Sequence, residues 1–78
     1  MTRSALQTVF EKTFAAIDCD VEVTISESRA RGPFLSVFGL PKDCDKAREV
    51  IEAAGSAPFI DRDVDDEDSE VVDFYSLA

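Results

Sequence analysis

The sequence predicts an α+β fold: a single small two-layer sandwich, in the order α-β-β-α-β-β, with two helices on one face of a four-stranded antiparallel or mixed sheet. Three observations carry this. The chain has 78 residues, too few to divide into two independent cores, so residues 1–78 form one α+β domain. Apolar residues recur at helical spacing in two stretches and alternate with polar ones in four. Gly, Pro, Asp and Ser clusters punctuate the stretches where the period changes.

The first helix is expected over residues 4–17. Ser4 opens SALQ, a capping-box spacing in which the hydroxyl accepts from an early helical amide while Gln7 reaches back. Leu6, Val9, Phe10, Thr13, Phe14 and Ile17 then form one apolar stripe. In VEVTISE the period drops to two, with Val21, Val23 and Ile25 on one side and Glu22, Thr24 and Ser26 on the other. Arg29 to Pro33 supplies a turn, and FLSVFG makes the hairpin partner, with Leu35 and Val37 sharing the core face and Phe34, Ser36 and Phe38 pointing away. Gly39, Leu40 and Pro41 stop that strand. Asp43 is the expected N-cap of a second helix with Cys44, Ala47, Val50, Ile51 and Ala54 on its inner face and Gly55 at its C-terminal stop. PFIDRDV and SEVVDFYSL alternate on either side of DDED and predict a second hairpin. Strand order is not readable from these runs.

Net charge is the most unusual bulk property. Seventeen acids against eight bases give −9, and residues 61–78 hold eight acids against Arg62 alone, so −7 of the total lies there. A chain so charged is repelled by phosphate backbones and anionic lipid heads and drawn to basic surfaces, so we expect no direct contact with nucleic acid or membrane. No apolar run approaches the roughly 20 residues of a membrane span, and MTRSALQTVF lacks the apolar segment of a signal peptide, which predicts a cytoplasmic protein. Cys19 and Cys44 are then expected as reduced thiols.

The acidic run IDRDVDDEDSEVV admits three readings. As a calcium loop it supplies Asp61, Asp63 and Asp65 at the first three ligand positions. Asp66 then replaces the glycine and Val72 the bidentate glutamate, and the flanks alternate rather than follow a helical period. As a disordered tract it would lack an apolar side, yet Ile60, Val64, Val72 and Phe74 provide one. The hairpin reading is therefore preferred, with DDED as a solvated tip. On strands, Asp61 and Asp63 would share a face with Phe59, and Asp73 one with Val71 and Tyr75. If both sets lie opposite the helices, with Phe34 and Phe38 joining them, an aromatic patch rimmed by carboxylates results. The competing readings are that the aromatics pack inside while the charges keep a small domain soluble, or that the acidity is an adaptation to high salt. Clustering in one hairpin argues against the latter.

Catalytic signatures are missing from the sequence. It contains no histidine, Gly-rich phosphate loop, GxSxG or CxxC. Cys44 in a first helical turn is flanked by Asp43 and Asp45, which oppose the dipole's activation of a thiol, so it reads as a packing residue. Zinc is disfavoured by two separated thiols without imidazole. We expect a non-enzymatic protein without cofactor or metal.

What remains is a binding protein. The candidate partner-binding residues are Asp61, Asp63, Asp65, Asp66, Glu67, Asp68, Glu70 and Asp73 with Phe59 and Tyr75 as anchors; Asp18, Asp20 and Glu22 could extend the surface. Spaced carboxylates can imitate a nucleic-acid backbone, and neutralising Asp61, Asp63 and Asp73 to Asn is the expected way to abolish binding while sparing the fold. In length, in its single α+β domain and in the acidic segment DRDVDDEDSEVVDF, the chain resembles small acidic phage-encoded anti-CRISPR proteins. The resemblance implies a DNA mimic in the host cell cytoplasm that binds a CRISPR-Cas surveillance complex, such as a Cascade-type effector, and blocks target DNA binding. Other readings are an acidic antitoxin or immunity protein masking a nuclease, and a small oligomeric adapter using an aromatic sheet face built on Phe34, Phe38, Phe59 and Tyr75. FLSVFGLPKDCDKAREVIEAAG also resembles the strand-to-helix passage of KH-like RNA modules, but it lacks their GXXG loop and the net charge opposes RNA.

Overall fold

The computed structural model describes residues 3–30, 32–55, 57–65 and 69–77, with the side chains of Arg3, Ser4 and Asp65 outside the description. The elements run α1 (Arg3–Ala16), β1 (Val21–Ser28), β2 (Gly32–Gly39), α2 (Pro41–Ala54), β3 (Phe59–Asp65) and β4 (Glu70–Ser76). The sheet order is β1-β2-β4-β3. All three pairings are antiparallel, so the two predicted hairpins are present and β2 and β4 join them at the centre. Among the described residues no helix is long and apolar enough to cross a membrane.

Both helices cover the same face of the sheet and close one core. Phe10 and Phe14 of α1, Cys44, Ala47 and Ile51 of α2, and Val23, Leu35, Val37, Val71 and Tyr75 of the sheet are buried together. The stripe of α1 is narrower than the sequence predicts. Phe10 and Phe14 stack at 5.9 Å and Leu6 packs beside them, whereas Val9 and Ile17 are exposed. Thr13 turns its hydroxyl back to donate to the Val9 carbonyl, a local bond that satisfies the hydroxyl of a half-buried residue within its own helix.

The helix ends differ from expectation in two places. Ser4 falls inside α1 rather than capping it. In α2 the N-cap is Leu40, with Pro41 at the first helical position, so Asp43 sits in the first turn instead of at the cap. Proline there lacks only an N–H that would have no intrahelical acceptor, and its fixed φ suits the helix. Asp43 keeps the favourable interaction of a carboxylate with a helix N-terminus. Gly55 closes α2 as predicted, at φ 70°, donating to the carbonyls of Ile51 and Glu52. The end of α1 uses the same geometry without glycine: Asp18 takes φ 54°, and the Cys19 and Asp18 amides donate to Phe14 and Ala15. That is a Schellman pattern with aspartate in the left-handed position, which Asp tolerates better than most residues.

Gly39 does more than end a strand. A Cβ there would lie 2.9 Å from the Asp20 carbonyl oxygen and 3.2 Å from Val21 Cγ1, so its absence lets the start of β1 close against the end of β2. Cys19 and Cys44 are free and buried. Cys19 Sγ donates to the Asp43 carbonyl at 3.0 Å, tying the α1–β1 connection to the first turn of α2.

Candidate functional site

The register assigns every sheet residue to one of two faces, because residues opposite each other in an antiparallel pair point the same way. The covered face takes Leu35, Val37, Val71, Asp73 and Tyr75. The open face is built from two continuous rows across all four strands. One row runs Glu22, Phe38, Val72, Asp63; the next runs Thr24, Ser36, Phe74, Asp61. Phe34 lies beyond them, opposite Ser26 and Ser76.

In these two rows aromatic and aliphatic side chains lie on the two central strands and carboxylates on the two edges, while Glu70, at the start of β4, adds a half-buried carboxylate at one end of the same face. Phe34, Phe38, Val72 and Phe74 are half-buried, while Glu22, Asp61 and Asp63 are exposed. Phe34 and Phe74 meet edge to face at 6.0 Å between centroids, which makes the strip continuous along the diagonal. The Asp61 carboxylate accepts from the Arg62 backbone N–H at 2.8 Å, which fixes its orientation. Asp65 is placed by its backbone opposite Glu70. Asp66, Glu67 and Asp68, also expected in the partner-binding set, lie outside the described residues. The flanks of the acidic run are strands β3 and β4, whereas an EF-hand loop joins two helices.

Three of the expected site residues belong elsewhere. Asp73 and Tyr75 are both 0% exposed on the helix-covered face, so neither can meet a partner. Phe59 is separated from Asp61 and Asp63 by a register shift between Phe59 and Asp61. One irregular residue reverses the alternation and turns Phe59 to the covered side. There it packs edge to face on Tyr75 at 5.6 Å, with the Arg48 guanidinium 3.9 Å above its ring. The partner-binding set lacks four open-face residues: Phe34 and Phe38, expected only in the aromatic patch, and Val72 and Phe74, expected on the apolar side of the hairpin, whose signal was their alternation with Val71, Asp73 and Tyr75.

Asp73 is buried because Arg62 reaches it. Arg62 Nε donates to Oδ1 at 2.6 Å and Nη2 to Oδ2 at 3.0 Å, a bidentate pair, while Nη2 also donates to Asp45 Oδ1 at 2.7 Å. These bonds, Asp73 first and then Asp45, raise the guanidinium pKa above its ordinary value. Nearby, burial and then the Asp73 charge push the Cys44 thiol up to about 12 and raise the Tyr75 hydroxyl as well. Cys19 is also raised, by burial and then by Asp43. Both thiols are therefore protonated at neutral pH and act as packing groups. Drawing Arg62 to the covered side leaves the open face with carboxylates and no base among its described residues.

Compared with protein-family models, with curated proteins and with solved structures, the chain matches none.

Proposed function

We propose that the protein is a non-enzymatic inhibitor that docks its open sheet face on a basic surface of a nucleic-acid-binding protein, and so blocks that protein's access to DNA. The observation that carries this reading is the segregation of charge: Glu22 on one edge, Asp61 and Asp63 on the other, a Phe34–Phe38–Val72–Phe74 strip between them, and Arg62 withdrawn behind the sheet. Exposed carboxylates steer the encounter and reject anionic competitors, and the partly desolvated aromatic strip supplies anchoring area. Asp61 and Asp63 stand about 6.7 Å apart along their strand, roughly twice the 3.4 Å axial spacing of charges on one DNA strand. The face is thus a diluted mimic that needs its apolar centre. The resemblance to small acidic anti-CRISPR proteins makes a Cascade-type surveillance complex in the host cytoplasm the first partner to test.

The experiment is a DNA-binding assay with a panel of purified surveillance complexes, using the wild type beside the Glu22→Gln/Asp61→Asn/Asp63→Asn variant. Inhibition of at least one complex by the wild type, lost in the triple variant and weakened as salt rises, is the expected result. Undiminished target binding across the panel would overturn the anti-CRISPR assignment, and equal inhibition by the variant would overturn charge mimicry. Asp73 is left out of this variant because it is a core residue.

A further inference from the structure

The occupant of the open face can be named by chemistry, and this inference rests on the docking role proposed above. We infer that the face receives a single basic amphipathic α-helix of the partner, lying along the strands with its apolar stripe on Phe34, Phe38, Val72 and Phe74 and its Lys or Arg flanks against Glu22, Asp61 and Asp63.

Dimensions come first. The edge strands β1 and β3 are three strand spacings apart, about 14 Å at roughly 4.8 Å each. A helix with its side chains is about 10–12 Å across, so it fills the apolar strip over β2 and β4 and brings the flanks of its lower surface over the two edges. Eight-residue strands span about 26 Å, the length of roughly 17 helical residues. The face offers a plane of only about 14 by 26 Å by the same spacings. Its apolar part is confined to the two central strands, β2 and β4, which one helix covers from end to end. One secondary-structure element fits it better than a broad protein surface does.

Charge and register agree with that occupant. Asp61 and Asp63, two residues apart on β3, are separated by about 6.7 Å, and Lys or Arg at helix positions i and i+4 by about 6.0 Å along the axis, so two successive bases on one flank meet two successive carboxylates. Glu22 lies in the same cross-strand row as Asp63 and takes a third base from the opposite flank. The far end of the face, Ser26, Phe34 and Ser76, carries no acid. The docked helix therefore has a direction, with its basic end at the Glu22–Asp63 row. A second copy of this chain is opposed by the same arrangement, because stacking two open faces brings Glu22, Asp61 and Asp63 against their own counterparts with no base among the described residues of the face to pair them.

The test uses an 18-residue amidated helix-forming peptide with a leucine stripe and arginines at i and i+4 on one flank and once on the other. Beside it stand a scrambled peptide of identical composition and a version with every arginine replaced by glutamate. Amide chemical-shift mapping and calorimetric titration are run on the full chain at low and high salt. The expected result is saturable binding of the first peptide, with shifts confined to the open-face residues and gain of peptide helicity. Affinity should fall at least tenfold in Asp61→Asn/Asp63→Asn, whose side chains are exposed and leave the fold intact, and comparably in Phe38→Ala.

Equal binding of the scrambled peptide, shifts centred on the acidic tip instead of the strip, absence of saturable binding, or self-association through the open face would each overturn the inference. Running the DNA-binding assay in parallel separates the two readings. Inhibition that persists while the amphipathic peptide fails to bind or to compete removes the helix occupant alone, whereas loss of inhibition across the panel removes the anti-CRISPR assignment even if the peptide binds.

Discussion

Replacing Arg62 by Met should be the most damaging single change outside the apolar core. The loss follows from what is left behind. Asp73 is 0% exposed and accepts two bonds from a guanidinium whose side chain is 26% exposed, so removing the cation strands a carboxylate where water cannot reach it. Breaking a buried pair in this way costs about 3–5 kcal/mol, and the partial exposure of Arg62 favours the lower end. A chain of 78 residues has a total stability of roughly 4–12 kcal/mol at the usual 0.05–0.15 per residue, so a loss of about 3 kcal/mol removes a quarter to three quarters of it. The second partner, Asp45, is 64% exposed, and Asp45→Asn should cost no more than about 1 kcal/mol. The decisive member of the series is Arg62→Met/Asp73→Leu, which removes both charges and should recover most of the loss, since apolar replacement of a whole buried pair is often neutral or stabilising. Urea unfolding followed by far-ultraviolet circular dichroism gives all the variants on one scale. A loss below about 1 kcal/mol for Arg62→Met, or a double variant as unstable as the single, would refute the argument that Arg62 is what allows Asp73 inside the core.

Two further predictions concern packing beneath the sheet. The Cys44 thiol, lifted by burial from 9.0 to about 12, ionises in the unfolded chain before it does in the folded one; its contribution to stability is complete below pH 9 and is lost as the pH rises towards 12. Chemical unfolding midpoints should fall across that window and fall less in Cys44→Ala, while native protein at pH 8 should leave Cys44 unmodified by a thiol reagent; rapid modification without unfolding would contradict its burial. Gly39→Ala should cost about 1–3 kcal/mol, because the new methyl group meets backbone at 2.9 Å rather than a side chain able to turn aside. An unchanged melting temperature would mean that β1 closes on β2 less tightly than the geometry requires.

Much of the architecture is legible in the sequence because period and turn chemistry are local. The switch from Phe10–Phe14 spacing to Val21–Val23–Ile25 alternation marks α1 and β1, and Gly55 marks the end of α2. The misplaced start of α2 has a local cause too: Asp43 is a better cap residue than Leu40, but Pro41 fixes the first helical φ and moves the boundary three residues earlier. Strand order was not legible, since pairing β2 with β4 joins segments more than 30 residues apart and no turn dictates it. The faces of the second hairpin failed for a physical reason. Both faces of β4 are apolar, Val71 and Tyr75 on one and Val72 and Phe74 on the other, so alternation alone cannot say which is covered. The register shift next to Phe59 then reverses the assignment along β3, and no glycine announces it.

Arg62 was the informative residue. A lone base among eight acids reads first as a minor dilution of a charged surface. Yet a buried carboxylate must be paired or given up to protonation, and an acidic hairpin facing a core on one side can hold an aspartate there only if a cation accompanies it. The pairing Arg62↔Asp73 across β3 and β4 satisfies that requirement on the covered face. Its consequence appears on the other face, where Asp61 and Asp63, the neighbours of Arg62 in sequence, have no cation beside them among the described residues. A face with Arg62 on it would neutralise one of those carboxylates and attract basic partners less strongly; a face without it presents an undivided edge of negative charge. The same alternation of the β3 strand therefore secures the core and sets the polarity of the open surface. For the proposed docking, an added Lys or Arg at the exposed Thr24 should accordingly weaken inhibition in the DNA-binding assay and leave the urea midpoint unchanged, whereas a change at Arg62 acts on both.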